Sequence, residues 1–218
     1  MARPSQKINL ALLASGVALY PQLGGTGLTV RALAEHAGVN PAMFHYHFGS
    51  KEEFLRALLR RMYEEMYGQL SARALTGGPA LERLRQALLG MAIFAREHRP
   101  LIGRLLTDTI NGEPVAARFL RENGPRHVGI LHLLLEQGVK EGALRDLPRL
   151  QQLSVLMGSV LLPVVFISGL FDALATPLLP AGLFSEQVMT DAAIEQRIAI
   201  AIAALSATRG SAKRKRTP

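Results

Sequence analysis

An all-α fold is predicted by three features of this 218-residue chain. Apolar residues recur every three or four positions through each long segment, the spacing of one buried helix face. No segment alternates apolar and polar residues as a half-buried strand does. The punctuation is that of helix ends: Asn40-Pro41, Ser50-Lys51-Glu52-Glu53, Gly38, and the cluster Thr76-Gly77-Gly78-Pro79.

The first helix is expected at about 6–23. Arg3 and Lys7 followed by the apolar run Ile8–Leu19 loosely imitate a secretory leader. Bulky Tyr20-Pro21-Gln22-Leu23 then stands where a small-residue cleavage site belongs, so a domain helix is the better reading. A second helix, 30–36, has Thr29 as N-cap and Val30, Leu33 and Ala34 on its apolar face. Ala37-Gly38-Val39 breaks the periodicity, with Gly38 free to take a positive φ. Asn40 caps a third helix, 41–47, with Pro41 at its first position, where no donor is lost. Ser50 and Glu53 form a capping-box pattern that opens a fourth, 51–74. There Phe54, Leu58, Met62, Met66 and Leu70 repeat every four residues, with Leu55, Leu59 and Tyr63 beside them.

Beyond the Gly-Gly-Pro break, helices are expected at about 80–97, 99–110, 113–121, 125–141, 149–171 and 185–207, with a loop at 172–184 around Pro177 and Pro180. Leu150–Phe171 contains no charged residue, which is long enough to span a bilayer. Gln151, Gln152, Ser154, Ser159, Ser168 and Pro163 favour instead a helix buried in a core or against a partner subunit. In the last helix Ile194, Ile198, Ile202 and Leu205 form one stripe.

Hydrophobic residues are 49% and charged ones 19%, which excludes disorder for most of the chain. There is no cysteine, so disulfides and thiol catalysis are excluded. The net charge of +8 is unevenly placed: +3 in residues 1–76, zero in 77–208, and +5 in the last ten. Such a partition suits a protein that meets a polyanion with one end.

Helix, glycine turn and short capped helix is the geometry that carries one helix into a DNA major groove. The ordered set Thr-Val-Arg-Ala-Leu-Ala (29–34), Ala-Gly-Val (37–39), His-Phe (47–48) and Ser-Lys-Glu-Glu (50–53) adds specificity. Over residues 5–66 the chain resembles the DNA-binding domain of the TetR (tetracycline-repressor) family of bacterial transcription regulators. The resemblance implies a three-helix helix-turn-helix head followed by a larger helical C-terminal domain for effector binding and dimerisation. The divisions expected are an arm at 1–5, the head at 6–66 with its motif at 29–48, the body at 67–208, and a basic tail at 209–218.

Residue by residue, the resemblance implies that Asn40 to Tyr46 enter the major groove. Asn40 caps the helix or reaches a phosphate, while Pro41, Ala42 and Met43 suit contact with thymine methyls and sugars. Phe44 takes the place of a usual core leucine, and Leu33, Val39 and Phe48 are also expected inside. His45-Tyr46 departs from the family's usual tyrosine-then-basic pair. Both are expected to donate to phosphates, and with no Arg, Lys or Gln on this helix direct base readout is sparse. Arg31 is the candidate for the missing guanine or phosphate contact, Thr29 and Lys51 for further phosphate contacts. His47 is expected to pack within the head. Arg3 and Lys7 fit an arm over the backbone, and Lys213-Arg214-Lys215-Arg216 fits non-specific, salt-sensitive attraction.

Polar residues within apolar helices are candidates for an effector pocket: Arg104, Thr107, Asp108, His127, His132 and Ser159. The resemblance also implies a four-helix dimer interface from the last two helices, with Leu156, Val160, Val164, Ile194, Ile198, Ile202 and Leu205 as its candidates. No catalytic or metal-binding pattern is present. Gly24-Gly25-Thr26-Gly27 lacks the following Gly-Lys-Ser/Thr and preceding strand of a phosphate loop, His45-x-His47 lacks a metal-ligand companion, and there is no Gly-x-Ser-x-Gly. The expectation is therefore a non-enzymatic, cofactor-free, cytoplasmic regulator, nucleoid-associated when bound. As a homodimer it represses from a palindromic duplex-DNA operator until a small apolar or amphipathic effector of unknown identity releases it. The competing readings are a membrane-attached helical protein anchored by 150–171, or a ligand-sensing module without specific DNA binding.

Overall fold

The structure, a computed structural model, describes residues 4–167, 170 and 182–207. Arg3, the tail 209–218 and most of the 172–184 loop lie outside the described residues. The chain runs through α1 (Pro4–Gly27), α2 (Val30–Ala37), α3 (Pro41–Phe48), α4 (Lys51–Ala74), α5 (Ala80–Glu97), α6 (Arg99–Ile110) and α7 (Pro114–Lys140). It continues with α8 (Arg149–Leu156), prolonged by widened π turns at Met157–Leu161 and Pro163–Ile167, then α9 (Leu183–Val188) and α10 (Asp191–Leu205). No strand occurs among the described residues; one antiparallel bridge, Leu144 to Ser206, ties the end of α10 to the α7–α8 connection. The all-α reading stands.

The first four helices form where their caps and apolar spacing place them. Thr29 Oγ1 accepts from the Ala32 amide at 3.1 Å, and Asn40 Oδ1 from Ala42 at 2.8 Å. Gly38 closes α2 in the left-handed region at φ 65°, donating to the Ala34 and Glu35 carbonyls. Ser50 Oγ accepts from the Glu53 amide, but the Glu53 carboxylate turns to Arg56 at 2.7 Å. The expected capping box is thus half formed.

Three boundaries differ from expectation. The first helix reaches Gly27 across a break at Gly24, whose φ of 67° lies in the left-handed region. The segments expected at 113–121 and 125–141 are one helix, α7, with Pro125 inside it. Its lost amide is offset by neighbours: Asn123 Nδ2 donates to the Phe119 carbonyl at 2.9 Å, Tyr63 Oη to the Asn123 carbonyl at 2.6 Å, and Arg126 lies over Tyr67 and pairs with Glu64. The last segment is divided, because Thr190 stops α9 and caps α10 by accepting from the Ala193 amide.

The chain forms two compact units, residues 1–68 with 98–126, and 69–97 with 127–218. Against the expected division after residue 66, the first unit ends its first stretch at residue 68, within α4, and takes in α6 and the first half of α7. Their Leu101, Leu105, Val115, Ala116 and Phe119 share a core with Leu12, Leu28, Leu33, Phe44, Phe54, Leu58 and Tyr63. In the second unit α10 packs on α5, α8 and the first π turn. Burial there is carried by Leu84, Leu88 and Met91 of α5, Leu131 and Leu135 of α7, and the inner stripes of the last two long segments.

Candidate nucleic-acid interface

On α3 the 100° step between residues separates two faces. Phe44 is fully buried and stacks in a cluster with Phe48 and Phe54, at centroid distances of 5.7 and 5.3 Å. Pro41, Ala42, His45 and Tyr46 lie on the opposite, exposed face, while Met43 is half-buried at its margin. Tyr46 leaves 76% of its surface in water. Thr29, Arg31 and Asn40 are exposed as well. The structure thus leaves eight of the nine DNA-contact candidates on or beside the outer surface of α2 and α3; Lys51 is the ninth.

His45 is held differently from expectation. Its Nδ1 lies 2.9 Å from the Gly49 carbonyl, an acceptor only, so Nδ1 carries the proton in that bond. In the neutral ring Nε2 is then an acceptor, suited to a base amino group rather than to a phosphate oxygen. His36 is fixed by the same logic. Ser15 Oγ donates to the Ala11 carbonyl at 3.0 Å and therefore accepts from His36 Nδ1 at 2.9 Å, tying α2 to α1. His47 packs between Tyr46 and Phe48 as expected.

Lys51 occupies the start of α4, half-buried, with Nζ donating to the Gly25 carbonyl at 3.0 Å and the Thr26 carbonyl at 3.4 Å. The same Gly25 donates its amide to Asp108 Oδ2 at 2.8 Å. Asp108, 5% exposed, also pairs through Oδ1 with Arg104 Nε at 2.9 Å. Arg104 Nη2 in turn donates to the Leu23 carbonyl. A Cβ at Gly24 would stand 1.9 Å from the Arg104 guanidinium, the movable end of a side chain, so it is the positive φ that favours glycine there. Tyr20, buried beneath, faces the Asp108 carboxylate without a well-formed hydrogen bond. Burial first, then that negative charge, raises its phenol far above the ordinary value and keeps it protonated.

Two of the pocket candidates take part in this joint. Arg104 and Asp108 hold the end of α1 on α6, and Thr107 is exposed with its hydroxyl on the Gly103 carbonyl. These three belong to the first unit, whereas His127, His132 and Ser159 are half-buried in the second. Burial depresses the His127 pKa. Gly25, Tyr20 and Glu113 were missed in the sequence. The glycine run was visible, but a partner 83 residues away leaves no local pattern.

Of the dimer candidates, Leu156, Val160, Val164, Ile194, Ile198, Ile202 and Leu205 are all at most 7% exposed within the single chain. The uncovered apolar residues lie on the other face: Leu150, Leu162, Phe166, Leu170 and Ile200.

Comparison with known proteins places this geometry among relatives. The sequence profile described as bacterial regulatory proteins, tetR family, matches residues 12–58. The HTH-type transcriptional regulator BetI of Brucella canis is 29% identical over 89 residues, which cover 39% of this chain and 45% of that protein. The alignment thus spans less than half of that curated relative. The solved structure of the ketosteroid transcriptional regulator KstR2 of Mycobacterium tuberculosis superposes with a TM-score of 0.69 at 21% identity, covering 92% of this chain and 95% of that one. The transcriptional regulator FadR of Bacillus subtilis, solved in complex with stearoyl-CoA, gives 0.69 at 14% identity, with coverages of 90% and 98%. At these identities the structural likeness establishes a shared fold.

Proposed function

Because the chain belongs to the TetR family of bacterial regulatory proteins, we propose that it is a sequence-specific, homodimeric transcriptional repressor in the cytoplasm. It binds a palindromic operator through α2 and α3 and leaves it when a small apolar or amphipathic effector occupies the second unit. The observation that carries this reading is the two-faced α3. Phe44 locks it into the head, while Pro41, Ala42, His45 and Tyr46 stand free beside exposed Arg31 and Thr29. Thr29 and Asn40 expend their side chains on caps, so their phosphate contacts run through the helix N-termini they organise. Arg31 and Lys51 supply the cationic contacts.

An effector is supported by two neighbours of the same fold, one named for ketosteroids and one holding stearoyl-CoA. The first name refers to ketosteroids, which are mainly apolar, and the second ligand is amphipathic, an acyl chain on a charged nucleotide. His127, His132 and Ser159 are the polar groups we assign to such a site in the second unit. Release requires that the effector prefer one arrangement of the DNA-reading helices over another, since equal affinity for both shifts nothing. We assign no catalytic role and no cofactor.

Arg149–Ile167 is long and apolar enough to cross a membrane by length and composition. We read it as a subunit interface, because its inner face is already committed. Gln152 donates to the Arg145 carbonyl at 3.0 Å, and Leu156, Val160 and Val164 fill the core.

The test is footprinting of the purified protein on the DNA flanking its own gene, across a salt series. Protection of a roughly two-fold-symmetric site that persists to moderate salt supports the proposal. Diffuse protection that vanishes with salt, there and on genomic fragments, sinks it.

A further inference from the structure

We propose that Asp108 is a positioning residue for DNA binding, placing the Lys51 ammonium through the backbone of Gly25. The inference rests on the reading of Lys51 as a phosphate contact. It concerns a residue of α6, which presents no part of itself on the exposed face of α2 and α3.

The chain of bonds is short. Asp108 Oδ2 receives the Gly25 amide at 2.8 Å, and the Gly25 carbonyl receives Lys51 Nζ at 3.0 Å. A buried carboxylate therefore sits on the amide side of Gly25 and an ammonium on its carbonyl side. The two bonds fall on the two peptide groups that flank the Gly25 Cα, so each fixes one side of the residue, and each is strengthened by the charge of its partner. The carboxylate is itself fixed by Arg104, which also holds the Leu23 carbonyl on the near side of the corner.

The Arg104 and Glu113 side chains close on the corner. Gly24 is seated against the Arg104 guanidinium, and a Cβ on Gly25 would stand 2.9 Å from the Glu113 carboxyl carbon. The Glu113 amide donates to the Asp108 carbonyl at 2.8 Å, so this wall too is anchored on the end of α6. With the Gly25 and Thr26 carbonyls occupying two of its three donors, the ammonium keeps one N–H for an outside acceptor, aimed by the two it has spent. Loss of the Asp108 bond releases Gly25, and with it the aim of Lys51. A displacement of α6 by the length of a hydrogen bond does the same.

The test measures binding of an operator duplex, taken from the footprint, by fluorescence anisotropy across a salt series. Each phosphate contact contributes about 0.9 to the slope of log K against log salt. Lys51→Met is expected to lower the slope by about that amount per bound protomer. Asp108→Ala is expected to lower it equally, and the double variant no further. Asp108→Asn, which keeps an acceptor oxygen for the Gly25 amide, is expected to retain the slope.

Asp108→Ala that melts earlier but keeps the wild-type slope has only a structural role, which overturns the proposal. So does a double variant whose losses add, or an Asp108→Asn slope as low as that of Asp108→Ala. If Asp108→Ala does not fold, Asp108→Ser keeps a polar group in the joint but is too short to reach the Gly25 amide. A wild-type slope in Asp108→Ser overturns the proposal equally. An unchanged slope in Lys51→Met alone rejects the phosphate reading of Lys51, and this inference falls with it. In that case the failure is of the foundation and is read separately from a failure at Asp108.

Discussion

On the proposed function, one backbone bond changes what His45 can read. Its Nδ1 proton is spent on the Gly49 carbonyl, which leaves Nε2 of the neutral ring as an acceptor on the exposed face of α3. Acceptors in the major groove match the amino groups of cytosine or adenine, not phosphate oxygens. His45→Ala is therefore expected to relax preference at one base position, with discrimination falling by about 1–3 kcal/mol while other positions keep theirs. Selection from a randomised operator library measures this; uniform weakening at every position would return His45 to a backbone role. A second histidine acts on stability. Burial holds the His127 pKa below its ordinary value, so the fold keeps the ring neutral. The unfolded chain then takes up the proton first. The contribution is fully present above the unfolded pKa of about 6.5 and is lost as pH falls from there toward the depressed folded value. Thermal melts of the wild type from pH 7.5 downward are expected to show a steeper fall in Tm than those of His127→Leu. Parallel profiles would show that His127 titrates alike in both states.

At the scale of elements, the capped turns carry the recognition geometry. Asn40 sets the entry angle of α3 by accepting from Ala42, with Pro41 pre-set for the first turn. Asn40→Ala is expected to cost about 1 kcal/mol in stability, and to weaken DNA binding beyond that loss at a temperature where the head remains folded. Calorimetry and binding on the same sample separate the two; unchanged affinity would make the cap dispensable for recognition. These starts and stops were legible because caps and glycine corners are local chemistry: Thr29, Gly38, Asn40 and Ser50 act within three or four residues of themselves. The failures share the opposite cause. Asn123-Gly124-Pro125 carries a break signal, and α7 crosses it with Tyr63 of α4 bound to Asn123 at its start and Tyr67 and Glu64 bound to Arg126 beyond it. Arg104 and Asp108 look like a polar pair lining an apolar helix, a pattern that a pocket and a buried joint share. The approach of Gly25, 83 residues earlier, is what the sequence pattern could not show.

For the whole molecule the decisive ambiguity is which apolar stripe meets a partner. A helical repeat reports that a face is buried but not by what. The segment from α8 onward carries two repeats of four: Gln152, Leu156, Val160 and Val164 inward, and Leu150, Ser154, Gly158, Leu162, Phe166 and Leu170 outward. An α-helix drifts forward over a repeat of four and a π turn drifts back, so the interposed widened turns keep each stripe facing one way. The inward stripe is satisfied within the protomer. The outward one, with small residues at 154 and 158 for close approach, remains uncovered, as do Ile200, Ala203 and Ala204 of α10. Two such faces from two copies meet the requirement of a homodimer, whose interface is self-complementary about a two-fold axis. Ile200→Glu and Leu162→Glu, at 61% and 45% exposure, are expected to leave helicity and the protomer melt intact while halving the mass in sedimentation. Affinity for a palindrome is then expected to fall to that of one half-site. Ile198→Ala, in the core, is expected to do the reverse. It removes about 2–5 kcal/mol of protomer stability and leaves the association of folded chains largely unchanged. Were Ile200→Glu and Leu162→Glu to remain dimeric, the partner would dock elsewhere. Were wild-type chains monomeric yet bound to lipid vesicles, the outward stripe would face a membrane, and the repressor reading would lose its two-fold basis.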